Sequence, residues 1–62
     1  MFAKGEKVTN GQTCYRVVTR HRDGTVTLQA TFPVEDGREV PEYGFLGYVY
    51  RRKPTDGLEA MR

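Results

Sequence analysis

Residues 25–32, TVTLQATF, alternate without a fault. Val26, Leu28, Ala30 and Phe32 fall on one side of the chain, and Thr25, Thr27, Gln29 and Thr31 on the other. A period of two over this length is the pattern of a half-buried strand. Thr13–Arg22 precedes it, separated by Asp23-Gly24, the dipeptide best able to supply the positive φ angles of a two-residue type I′ hairpin turn. That turn would set Arg22 opposite Thr25, His21 opposite Val26, Thr19 opposite Leu28, Val17 opposite Ala30 and Tyr15 opposite Phe32. The opposite face would then gather Arg16, Val18, Arg20 and Arg22 against small polar residues. The chain is therefore expected to contain one long hairpin over 13–32, with a core face and a basic face.

Other signals extend this sheet. Asn10-Gly11 marks a turn that folds a short first strand, ending near Val8, back on the hairpin. Pro33 is expected to end the second hairpin strand, because proline cannot donate to a ladder. Pro33–Pro41 reads as a charged loop in which Val34 and Val40 flank Asp36-Gly37 and allow a small secondary hairpin. Tyr43–Lys53 reads as a further strand, with Gly44 and Gly47 marking a bend. After Pro54, Thr55 has the chemistry of an N-cap for a last helical turn. Leu58 and Met61 on that turn would plug the end of a barrel.

Sixty-two residues form one domain, near the lower limit for a chain held by a single core. Its large apolar groups are Phe2, Tyr15, Leu28, Phe32, Tyr43, Phe45, Leu46, Tyr48 and Tyr50, enough for one small barrel or sandwich. No apolar run approaches the length of a membrane span, and no signal-peptide pattern opens the chain. The single cysteine, Cys14, excludes an intramolecular disulfide framework and suits a reducing, cytoplasmic setting. Net charge is +2, but residues 1–31 carry five basic and two acidic side chains, and residues 32–62 five basic and six acidic. The charge is thus polarised along the chain.

About five short strands and a final helical turn point to a small all-β barrel. Phe2-x-x-Gly5-x-x-Val8, Tyr15-Arg16-Val17-Val18 and Asp23-Gly24-Thr25-Val26-Thr27-Leu28 resemble the SH3-like barrel group, with its Tudor-type and KOW-type domains. The resemblance covers about the first half of the chain. It implies a five-stranded SH3-like barrel spanning 1–62 that works as a binding module. Tryptophan is absent, so the acidic-plus-tryptophan groove of signalling SH3 domains is missing. An enzyme reading fares no better against the barrel-shaped type II dihydrofolate reductases. Tyr48-Val49-Tyr50-Arg51 lacks the glutamine of their Val-Gln-Ile-Tyr run.

Individual residues offer little chemistry. His21 has only Asp23 nearby as an orienting carboxylate, and a strand-end histidine covering the core is the simpler reading. Cys14 has Arg16 on its strand face, yet lacks the helix N-terminus that commonly activates a thiolate. Glu35, Asp36, Glu39 and Glu42 match no calcium-loop spacing. No enzymatic activity, metal or cofactor is expected.

Two binding surfaces follow. One is a protein-binding surface built from Tyr43, Phe45, Tyr48 and Tyr50 with acidic Glu35 and Asp36. The alternative is a nucleic-acid surface. Arg16, Arg20 and Arg22 would point the same way along a strand, at ~6.6–7 Å per two residues, similar to a phosphate spacing. Arg51, Arg52 and Lys53 would extend it, with a tyrosine as stacking platform. Membrane association is not expected. The chain is expected as a monomer or an edge-strand homodimer.

Overall fold

A computed structural model describes residues 2–61 and shows a small all-β sheet curled into a half-barrel. Its strands are β1 (Lys7–Thr9), β2 (Thr13–Arg20), β3 (Val26–Glu35), β4 (Arg38–Glu39), β5 (Val49–Lys53) and β6 (Glu59–Ala60), with a 3₁₀ turn at Pro41–Tyr43. All pairings are antiparallel. The order is β4-β3-β2-β1-β6, and β5 also pairs with β3. The first strand therefore contacts both the second and the last, which curls the sheet. β5 and β6 do not pair with each other, so the curl stays open.

The β1–β2 turn forms where Asn10-Gly11 marks it. Asn10 Oδ1 accepts from the backbone N–H groups of Gln12 and Thr13 at 2.9 and 3.0 Å. Asparagine side chains commonly build turns in this way.

The central hairpin forms, but in a different register. Arg20 faces Val26, Val17 faces Leu28 and Tyr15 faces Ala30. Asp23 causes the difference. Its Oδ1 accepts from the Thr25 N–H at 2.9 Å and the Thr25 hydroxyl at 2.6 Å. Thr25 is drawn into the turn, and His21 N–H donates to Thr25 O at 2.9 Å. The loop thereby holds three residues, Arg22–Gly24, instead of two. The two-residue I′ turn occurs at the next Asp-Gly pair along the chain. Asp36 and Gly37, at φ +53° and +79°, join β3 to β4 with Glu35 opposite Arg38.

A register shift at Val18 adds one residue to β2 between the Val17–Leu28 and Thr19–Thr27 pairs. Directly opposed residues share a face, so one extra residue reverses the faces beyond it. Arg16, opposite Gln29, and Arg20, opposite Val26, therefore lie on opposite faces. The expected continuous basic face does not form.

The core is aliphatic and small. Val8, Val17, Val26 and Leu28 form its centre, with Phe2, Tyr15 and Leu58 packed against them. Among the expected large core residues, Tyr43, Phe45, Tyr48 and Tyr50 are exposed instead. They lie at the open edge of the sheet, where no second wall covers them.

β3 is buried on both faces over most of its length. Thr27 and Thr31, expected outside, are buried with their hydroxyls satisfied. Pro33 does not end the strand. Ladder bonding continues past it, with Val34 N–H donating to Gln12 O at 2.8 Å and Val40 N–H donating to Pro33 O at 2.9 Å. The expected final helical turn is a simple turn, Leu58 N–H to Thr55 O, followed by β6 on β1. Leu58 still reaches the core. No helix among the described residues is long and apolar enough to cross a membrane.

Candidate functional site

One edge of β3 organises the exposed surface. β2 occupies one side of β3 from Val26 onward, so β5, which pairs with Val26–Gln29, must take the other side. β4 lies on that same side at Val34 and Glu35. The chain between them bridges the middle. Ala30 N–H donates to Tyr48 O, Gly47 N–H to Ala30 O and Leu46 N–H to Thr31 O, at 2.7, 2.9 and 2.7 Å. The segment 44–48 is held by these bonds but is not a regular strand, contrary to the continuous Tyr43–Lys53 strand expected. Gly44 and Gly47 both take positive φ and break it.

The aromatic residues line this edge. Tyr43, Phe45 and Tyr48 are 59%, 59% and 60% exposed. Phe45 meets Phe32 edge-to-face at 5.7 Å, and the Tyr43 hydroxyl donates to Glu35 Oε2 at 2.9 Å. That bond to a carboxylate raises the Tyr43 pKa, because the neutral phenol is the donor. Tyr50 stands edge-on to Tyr15 at 5.9 Å, and Lys53 Nζ lies 5.7 Å from the Tyr50 ring centre. Beside this pair runs an open groove of about 410 Å³, walled by Tyr15, Leu28, Tyr50, Lys53, Asp56 and Leu58. Tyr43, Phe45 and Tyr48 thus share one edge with Glu35 and Asp36, while Tyr50 also turns toward the groove.

The cationic residues separate into groups. Arg51, Arg52 and Lys53 lie on fully exposed β5. Two of these residues, Arg51 and Arg52, oppose the single residue Thr27, a bulge in which Arg52 takes φ +54°. Bulges that bend an edge strand are a recurrent way to end regular pairing. Arg52 Nη1 reaches Asp23 Oδ2 at 3.7 Å, and both side chains are more than half exposed. The Asp23 carboxyl is held below its ordinary range, chiefly by the Thr25 hydroxyl and then by the Thr25 N–H. Arg22 sits in the β2–β3 loop. Arg16 and Arg20 are divided by the bulge at Val18.

A polar cluster missed by sequence reasoning lies under β4. Lys7 Nζ donates to Glu39 Oε1 at 2.7 Å. The Thr31 hydroxyl lies 3.2 Å from Glu39 Oε2 and 3.1 Å from the carbonyl oxygen of Cys14. Lys7, above all by its hydrogen bond, holds the Glu39 carboxyl below its usual range. Cys14 is fully buried, and burial pushes its thiol pKa up. That is the setting of an inert structural thiol. Glu39, expected in a solvated acidic loop, is instead tied to β1 across 32 residues. Sequence spacing carries no signal for so distant a pair.

His21 Nε2 lies 2.7 Å from the Thr27 hydroxyl, so the imidazole caps the strand end. No group of three or more His, Cys, Asp or Glu residues among the described residues is arranged to hold a metal. Comparison with known protein families, with curated proteins and with solved structures finds no match for this chain.

Proposed function

We propose that this protein is a non-enzymatic binding module on an SH3-like barrel frame, engaging a protein partner through the Tyr43–Tyr50 segment and the acidic turn at Glu35 and Asp36. One observation carries the reading. Tyr43, Phe45 and Tyr48 are each more than half exposed, while the core is built almost wholly from valine, leucine and alanine. Contiguous exposed aromatics at a sheet edge are costly to leave in water and are characteristic of binding surfaces. The curl that brings the last strand onto the first supports the barrel frame. The nucleic-acid alternative draws its support from Arg51–Lys53 beside Tyr50, without the aid of a shared Arg16/Arg20 face.

The test compares two double variants that keep the fold. Phe45→Ala/Tyr48→Ala should abolish capture of the protein partner, and Arg16→Ala/Arg20→Ala should leave it intact. Oligonucleotide binding that fades between low and physiological salt and is lost in Arg51→Ala/Lys53→Ala would overturn the reading in favour of nucleic acid.

A further inference from the structure

The exposed edge of the sheet carries its two signs of charge at opposite ends. From this layout we infer that the partner of the aromatic edge is a second copy of this chain, bound edge to edge and antiparallel about a two-fold axis. The inference rests on the aromatic edge being the binding surface and names its occupant.

Among the described residues β5 pairs only with β3, and all five of its residues are exposed. An unpaired strand edge of this kind is a ready template for another chain. β3, against which the edge is built, has ten residues and is roughly 30 Å long. Lys53 sits opposite Val26 at one end, with Arg51 close by. Glu35 and Asp36 sit at the other end, where β3 turns into β4, and Glu42 follows in the adjoining 3₁₀ turn, so that end stays net acidic although Arg38 stands opposite Glu35. Between the ends lie Phe45, Tyr48 and Val49, each more than half exposed.

A two-fold axis through the middle of this edge places the basic end of each copy against the acidic end of the other. Both ends are then complementary, because an isologous contact repeats itself. A parallel arrangement would set like charge beside like and is disfavoured. The aromatic residues gather at the axis and the charges at the rim, the usual anatomy of a protein interface. The Arg51–Arg52 bulge interrupts the regular edge, so the ends of the interface meet through side chains. Arg52 is partly engaged with Asp23 and Glu35 with Tyr43. Arg51, Lys53, Asp36 and Glu42 therefore carry most of the complementarity.

Sedimentation equilibrium of the whole chain and two charge-reversed variants tests this. One variant is Arg51→Glu/Lys53→Glu. The other is Glu35→Lys/Glu42→Lys, which spares Asp36 because its positive φ tolerates few replacements. The wild type should reach the mass of two chains, more weakly at high salt. Each variant alone should raise the dimer Kd at least about tenfold, by setting like charges together at both ends. Mixed in equal amounts, the two variants should recover a dimer containing one of each.

A wild type that stays monomeric to millimolar concentration overturns the inference. So does a dimer that neither reversal weakens, or a mixture that fails to form the mixed dimer. Capture of a different protein that depends on Phe45 and Tyr48 would leave the aromatic-surface reading standing while the self-pairing fails. A monomer whose aromatic variants change no binding would sink both.

Discussion

The two sides of β3 are built on different principles. Toward β2 and β1, the chain buries Val8, Val17, Val26 and Leu28 almost completely. Toward β5, it is held by backbone hydrogen bonds and leaves every β5 side chain exposed. One strand thus joins a stability region to a surface region. The lesson is that, in a domain this small, the two can be changed almost independently. Burial of aliphatic groups supplies most of the folding free energy, while exposed rings contribute little until something covers them.

The strongest way to break this contrast is Leu28→Ala. Leu28 is 3% exposed at the centre of the core, and its truncation should cost about 2–4 kcal/mol, seen as a lowered midpoint in urea unfolding. A loss under about 1 kcal/mol would mean that the aliphatic side does not dominate.

Glu39→Gln should have an intermediate effect, about 1 kcal/mol, through the weakened bonds to Lys7 and Thr31. This pair also makes stability pH-dependent. The folded pKa of Glu39 is lowered, so its contribution is fully present above the unfolded carboxyl pKa and disappears as pH falls through the folded value. The variant should therefore flatten the acid limb of a stability–pH curve. Parallel curves for the two proteins would remove the pair from the account.

Tyr48→Ala should be the mildest, within about 0.5 kcal/mol of wild type. It should nonetheless abolish the binding proposed for the edge. A large stability loss here would show that Tyr48 belongs to the packing after all.

Much of the sheet was legible from local pattern. The alternation of 25–32 marked β3, Asn10-Gly11 marked the first hairpin, and Val34 and Val40 around Asp36-Gly37 marked β4. The exposed aromatics were also named, although as candidates for the core as well as for binding. Of the three Asp-Gly pairs, those at 23–24 and 36–37 explain where local reading failed. They are the same dipeptide, yet only Asp36-Gly37 makes the two-residue turn. Asp23 is followed two residues later by Thr25, whose N–H and hydroxyl both donate to its carboxylate and lengthen the loop. The shift at Val18 then moved Arg20 away from Arg16. One extra residue reverses the faces beyond it, so the basic face depended on a bulge within β2.

What the sequence by itself determined is the all-β character, the central hairpin and the segregation of acidic and basic groups along the chain. These follow from side-chain periodicity and turn chemistry acting over a few residues. Tertiary structure alone decided the bulge at Val18, the Lys7–Glu39 tie, the strand in place of a final helical turn, and the gathering of aromatics and both charge clusters on one edge. Each depends on which distant segments meet. Pairings of that kind are chosen by the cooperative burial of the whole sheet, and no single stretch of the chain encodes them.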